Sequence, residues 1–220
     1  MPDSFVIAID GPAASGKSSV SKVLARRLHC SHVNSGALYR AATWGILQAG
    51  ADPADPRAVA AALAALHLDC LPSGSGFTIL VNGVDPGDQL RQPAVASQVS
   101  SVASIPEVRD LLTAQLRRLA EGRSLIMEGR DIGSVVFPHT PYKFYIDASE
   151  AVRLSRRRAQ GEVDSLVTRD QQDSTRKTAP LVVAPDARVI DTTALELDQV
   201  VAEVLAALVA RGLPAGSAES

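Results

Sequence analysis

Phe5-Val6-Ile7-Ala8-Ile9-Asp10-Gly11-Pro12-Ala13-Ala14-Ser15-Gly16-Lys17-Ser18 decides how this chain is read. An apolar run of strand character leads into Gly-x-x-x-x-Gly-Lys-Ser. A helical pattern follows, with Val20, Val23, Leu24 and Leu28 on one face. Strand, glycine-rich turn and helix in that order are the context a phosphate-binding loop requires. The glycines let successive N–H groups converge on phosphate oxygens, and the following helix adds its positive dipole end. The segment therefore predicts a nucleoside triphosphate site made by Gly11, Pro12, Ala13, Ala14, Ser15, Gly16, Lys17, Ser18 and Ser19. Lys17 would reach the β- and γ-phosphates, and the Ser18 hydroxyl would serve a Mg²⁺ ion. The bland alternative is a glycine turn between a strand and a helix.

Working outward, strand and helix signals alternate. Helices are predicted over 35–48, with Gly50 ending it, and over 56–66. Residues 68–71 and 77–82, joined by Pro72-Ser73-Gly74-Ser75-Gly76, read as a β-hairpin that interrupts the alternation and forms an insertion. Prolines open two further predicted helices at 93–104 and 106–121. Strands are expected at 124–127, 142–147 and 188–191. Helices are expected at 149–160, with Ser149 as N-cap, and at 197–208, and a polar helix or loop at 162–176. This order predicts an α/β fold, a three-layer α/β/α sandwich around a parallel sheet. Its ligands should lie at the carboxyl ends of the strands, where Asp10–Ser18, Glu128–Asp131 and Asp191-Thr192-Thr193 fall.

Composition narrows the function. The chain has 220 residues and 46% hydrophobic residues, enough for one domain with a full core. A formal charge of −2 argues against a general binder of nucleic acid or anionic membrane. No apolar run approaches the ~18 residues of a membrane span, and no leader-like segment precedes the first strand, so the expected setting is cytoplasmic. Cys30 and Cys70 form neither a C-x-x-C nor a zinc spacing, and His29, His32, His67 and His139 show no ligand spacing. A frayed tail is expected from Gly212 onward.

Three further clusters carry chemistry. In Asn34-Ser35-Gly36-Ala37-Leu38-Tyr39-Arg40, polar groups at a helix start and an Arg within two turns read on their own as a capped helix with a surface Arg, and alternatively as a second anion site. Glu128-Gly129-Arg130-Asp131-Ile132-Gly133 follows a buried strand, with Gly129 read as permitting a sharp turn and Gly133 a close backbone approach. It delivers two carboxylates and a guanidinium to the active edge, or a structural Arg–Asp pair. Arg169, Asp173 and Arg176 share one helical face by i, i+4, i+7 spacing, and Arg156, Arg157 and Arg158 precede them. That pattern fits a solvated helix or a mobile lid whose arginines neutralise a phosphoryl group in transfer.

Together these segments resemble the bacterial cytidylate kinases, the (d)CMP kinases of the nucleoside monophosphate kinase group. The matching residues are Ile9 to Ser18, Ser35-Gly36-Ala37-Leu38-Tyr39-Arg40, and Gly129-Arg130-Asp131-Ile132-Gly133 running to Val135-Val136-Phe137-Pro138. Arg169-Asp170-x-x-Asp173-x-x-Arg176 and Ala179-Pro180-Leu181 complete them, and the likeness spans residues 4–210. Asn34 and Glu128 stand where many relatives carry Asp. The resemblance implies ATP-dependent phosphorylation of CMP and dCMP with Mg²⁺, by a monomer. It implies a core of about 4–34, 122–155 and 182–210, a monophosphate-binding region of about 35–121 with a hairpin insertion at 67–92, and a lid of about 156–181. It assigns Lys17, Arg130, Arg169 and Arg176 to catalysis and Arg157 to the ATP side. The CMP side would comprise Ser35, Tyr39, Arg40, Ser100, Arg109, Arg130, Asp131, Arg169, Asp173 and Arg176. Ser100, Arg109 and Asp131 would read the cytosine and Asp173 the sugar hydroxyls. The rival readings are a kinase for another monophosphate or metabolite, and a GTPase-like switch, against which the lack of an N-K-x-D guanine motif weighs.

Overall fold

The expected strand of the opening segment is β1, Val6–Asp10, and it lies at the centre of a five-stranded sheet. Its neighbours are β5 (Leu125–Gly129) on one side and β6 (Tyr142–Asp147) on the other, with β2 (Ser31–Asn34) and β7 (Arg188–Asp191) at the edges. Every pairing in this sheet is parallel, and Asp10 stands level with Gly129 and Tyr145. This computed structural model describes residues 4–159 and 166–213, the side chains of 166–169 excepted.

Alternation along the strands explains the three layers. Ile7 and Ile9 of β1, with Ile126 of β5, face a cluster supplied by Val20 and Leu24 of α1 (Lys17–Arg27) and Val200, Val201 and Val204 of α8 (Leu197–Ala210). Ala8, Leu125 and Met127 face the opposite cluster. That second cluster draws on α2 (Ser35–Gln48), α3 (Pro56–Ala64), α4 (Pro93–Val102) and α5 (Pro106–Leu119). A parallel strand buried on both faces reads as a continuous apolar run, as residues 5–9 do. Truncating a fully buried side chain such as Leu112 to alanine would cost about 2–5 kcal/mol.

The insertion is a separate antiparallel hairpin, β3 (Leu68–Ser73) with β4 (Gly76–Val81). Its turn is tighter than the sequence suggests. Ser73 pairs with Gly76 and Pro72 with Phe77, leaving Gly74 and Ser75 as the loop, with Gly74 at φ 55°. A two-stranded ribbon has free edges, so Pro72 fits within a strand without breaking a ladder bond. The hairpin tip touches the main sheet, where His32 N–H donates to the Ser75 carbonyl at 2.7 Å.

Two features escape the sequence patterns. β2 is a four-residue edge strand with only Val33 buried, too short to show a period. A single π-helical turn, Ile132–Val136, follows β5 and re-aims the chain beneath the active edge. The polar segment is helical over Leu166–Thr175 (α7), preceded by α6, Glu150–Ala159. Residues 160–165 and 214–220, which include most of the expected frayed tail, lie outside the described residues. Both cysteines are free, and among the described residues no helix is long and apolar enough to cross a membrane.

Candidate active site

The loop between β1 and α1 is shaped by close approach. Gly11 has φ +149°, and a Cβ there would lie 2.0 Å from the Ile146 carbonyl oxygen, so only glycine fits. Gly16, at φ 99°, ends the loop and caps α1. Lys17 is buried, and its ammonium donates to the Pro12 carbonyl at 2.5 Å. Burial, followed by the charge of Arg130, lowers its pKa from 10.5 to about 7. A lysine so poorly solvated is primed for an anionic partner. Ser15 is fully buried, whereas Ser19 is exposed.

Two carboxylates brace this loop. Asp10, at the end of β1, accepts N–H bonds from Ile132 at 2.8 Å and Gly133 at 2.7 Å, which fixes the π-helical turn against the loop. Burial raises its pKa to about 6. Glu128, at the end of β5, accepts from the Ser18 hydroxyl at 2.6 Å and from Asn34 Nδ2 at 3.0 Å, with His32 Nε2 also 3.0 Å away. Burial alone would push Glu128 up, but the hydrogen bonds from His32 and Ser18 and the charge of Lys17 bring it below the ordinary glutamate value. His32, read from the sequence as an unremarkable histidine, is thus a partner of this carboxylate. Among the described residues, no group of three or more His, Cys, Asp and Glu side chains could cage a metal. A hydroxyl–carboxylate pair of oxygen donors, the carboxylate buried, fits Mg²⁺, which takes one or two protein ligands and leaves the rest to phosphate and water.

The Gly-Arg-Asp-Ile-Gly segment splits its side chains between two partners. Arg130 Nε donates to Asp173 Oδ2 of α7 at 3.0 Å. Asp131 is buried and paired with Arg109 of α5, whose Nη1 donates to the Ala103 carbonyl at 3.1 Å. The Arg109 guanidinium lies 5.4 Å over the ring of Tyr39. Burial raises the Asp131 pKa against the pull of Arg109 and Arg176. Gly129 is required by packing rather than by a left-handed turn, because a Cβ would come within 2.5 Å of Ser35 Oγ and 2.8 Å of Ile132. Ser35 in turn donates to the Glu128 carbonyl at 2.8 Å.

Of the expected acceptor-side residues, Ser100, Arg130 and Arg176 meet at Asp173. Ser100 is buried and its hydroxyl donates to Asp173 Oδ1 at 3.3 Å, while Ser101 points to solvent. Arg176 Nη2 is 3.6 Å from Asp173 Oδ1, and that nitrogen is buried with no hydrogen-bond acceptor among the described residues. Arg40 folds back over the start of α2, so that a Cβ on Gly36 would be 3.2 Å from its Nη1. The side chain of Arg169 lies outside the described residues.

On the loop side, two arginines of α6 make contacts the sequence did not single out. Arg153 Nη1 donates to the Ala13 carbonyl at 3.2 Å, and Arg156 Nη1 to the Ser15 carbonyl at 3.3 Å. Arg156 is also held by Thr192 through bonds of 3.0 Å to its hydroxyl and carbonyl oxygens. Arg157 is half-buried on the same helix. The available signal was the i, i+3 spacing of Arg153 and Arg156, which puts them on one face. The site thus sets Lys17, Arg130, Arg153 and Arg156 around the loop that joins β1 to α1. A second cationic and acidic cluster is formed by Arg109, Asp131, Asp173 and Arg176.

Comparison with known proteins places the chain in a family. A family model described as "Cytidylate kinase" matches residues 7–210. The cytidylate kinase of Corynebacterium efficiens is 43% identical over 218 residues, covering 93% of this chain and 95% of that protein. The enzyme of the same name from Rhodococcus opacus is 42% identical, covering 92% and 93%, and that from Limosilactobacillus reuteri is 39% identical, covering 90% and 92%. With the family model spanning nearly the whole chain, this protein belongs to the cytidylate kinase family.

Proposed function

We propose that this kinase transfers the γ-phosphoryl group of ATP to CMP and dCMP, giving ADP with CDP or dCDP. The observation that carries the reading is the meeting, beside a phosphate-binding loop, of Asp131, Arg109, Ser100 and Asp173 in one buried cluster. Cytosine offers an N4 amine donor next to N3 and O2 acceptors, which a carboxylate, a hydroxyl and a guanidinium can read together. Uracil would set an O4 acceptor against the carboxylate and leave buried polar groups unpaired.

The reaction needs alignment and charge neutralisation more than proton transfer. An oxygen of the CMP phosphate, already largely ionised near neutral pH, attacks the γ-phosphorus in line. A new O–P bond forms as the β–γ bridging O–P bond breaks, and ADP departs with the electron pair. Lys17 and the loop N–H groups hold the triphosphate. Arg130 and the lid arginines Arg169 and Arg176 neutralise the moving phosphoryl group, and the unmatched Nη2 of Arg176 is a donor held ready for it. Ser35, Tyr39 and Arg40 line the acceptor side, Asp173 receives a sugar hydroxyl, and Arg157 attends the donor nucleotide. Ser18, backed by Glu128, would hold Mg²⁺, which when bound supplies charge neutralisation across the β- and γ-phosphates. In domain terms, residues of about 4–34, 122–155 and 182–210 form the core, residues of about 35–121 bind the monophosphate, and residues of about 156–181 form the lid. We infer that the enzyme works as a cytoplasmic monomer.

The test is ADP release from ATP and Mg²⁺ with CMP, dCMP, UMP, AMP and GMP offered separately. Fast turnover with CMP and dCMP and little with the rest supports the reading. Turnover with none of them overturns the acceptor assignment.

A further inference from the structure

α7 sends two acids, one turn apart, to the two halves of the site. Asp173 takes Arg130 and Ser100, as described above. Asp170 takes the phosphate loop. Its Oδ1 accepts from the Ala13 N–H at 3.0 Å, and its Oδ2 is paired with Arg153, which also donates to the Ala13 carbonyl at 3.2 Å. The contact joins residues 157 positions apart, and both charged partners are largely buried, at 12% and 14% side-chain exposure.

We propose that Asp170 is an internal stand-in for nucleotide phosphate, which the triphosphate must displace from the loop. A carboxylate and a phosphoryl group are both multi-oxygen anions, and both are recognised by backbone N–H groups and guanidinium forks. Asp170 satisfies one of each. The incoming triphosphate competes for the same donors and frees Arg153 for phosphate. This rests on the reading of the loop as the ATP site.

The experiment is calorimetric titration of wild-type, Asp170→Asn and Asp170→Ala proteins with ATP, with inorganic tripolyphosphate and with CMP, alongside thermal melts. Losing a charged competitor at two donors should tighten ATP and tripolyphosphate binding about tenfold, while CMP binding stays within about twofold. Asp170→Asn, which keeps the shape and one acceptor, guards against misfolding and should show a smaller gain of the same sign. Wild-type binding of ATP with equal or weaker binding by both variants overturns the stand-in and leaves the ATP site intact. A uniform loss for every ligand with a lower melting temperature assigns Asp170 a purely structural part and also overturns it. Failure of the wild-type protein to bind ATP at all overturns the site reading itself, and the proposal falls with it.

Discussion

Arg109 and Asp131 form an ion pair in which both side chains are at least 95% buried, 22 residues apart in sequence and on different elements. Such a pair matters more for what happens when it is broken than for its net stabilisation. Arg109 additionally ties α5 to the Ala103 carbonyl and covers Tyr39. The same two groups that would read the base thus also hold the acceptor side together.

Arg109→Ala should destabilise the protein by about 3–5 kcal/mol, because it leaves the Asp131 charge buried and uncompensated. Urea denaturation near pH 7 checks this. The double variant Arg109→Met with Asp131→Leu should recover much of the loss while CMP turnover stays abolished. Equal stability of Arg109→Ala and wild type would show that the pair is not structurally coupled.

Lys17→Ala should lower turnover by about 10²–10³-fold or more, the scale seen when a group stabilising transition-state charge is removed. Its stability should hold or rise, since burial disfavours the Lys17 ammonium. Steady-state kinetics and a urea midpoint measured on the same sample test both halves.

The titration of Lys17 has a defined sign. Its pKa is about 7 in the folded protein and 10.5 ordinarily, so between those values the unfolded chain binds more protons. This group alone therefore makes stability rise with pH from about 7 to about 10.5. A bound polyphosphate favours the ammonium and raises the pKa. ATP binding at pH 8 should accordingly take up protons, seen as a dependence of the calorimetric heat on the buffer's ionisation enthalpy. Removal of that dependence in Lys17→Met identifies the group, and heats independent of buffer in the wild type would contradict it.

Glu128→Gln removes the charge behind Ser18 while keeping hydrogen-bonding capacity. If Ser18 and Glu128 serve Mg²⁺ together, the Mg²⁺ concentration for half-maximal turnover should rise about 10-fold or more. Turnover titrated with Mg²⁺ at fixed ATP measures it, and an unchanged curve would separate Glu128 from the metal.

What could be read from the sequence was local, and what was missed is long-range. The phosphate loop announces itself because glycine spacing, flanking strand and flanking helix lie within about thirty residues. The placement of Glu128 to Asp131 at a strand's carboxyl end follows from one buried run. β2 was invisible because an edge strand of four residues with one buried side chain carries no period. The hairpin loop is shorter than its composition suggests: Pro72 and the glycines look like turn residues, yet Pro72 and Ser73 sit in the ladder of a two-stranded ribbon whose edges are free. Ser18 with Glu128 spans 110 positions, Arg153 with Ala13 spans 140 and Ala13 with Asp170 spans 157, and no pattern within a window reports such pairs. The burial of Ser100, beside its exposed neighbour Ser101, follows from α4 packing against α7, which no local pattern reports.

Under the proposed function, a buried carboxylate–guanidinium–hydroxyl cluster selects cytosine beside a phosphate loop. Its most direct test is a competition: wild-type enzyme, ATP and Mg²⁺ with equimolar CMP and UMP, and the ratio of CDP to UDP read early by phosphorus NMR or chromatography. The account predicts that CDP dominates by about 10²-fold, the scale of a buried polar mismatch, and that Asp131→Asn collapses the ratio toward unity. Equal formation of CDP and UDP by the wild-type enzyme, or an unchanged ratio in Asp131→Asn, would contradict it.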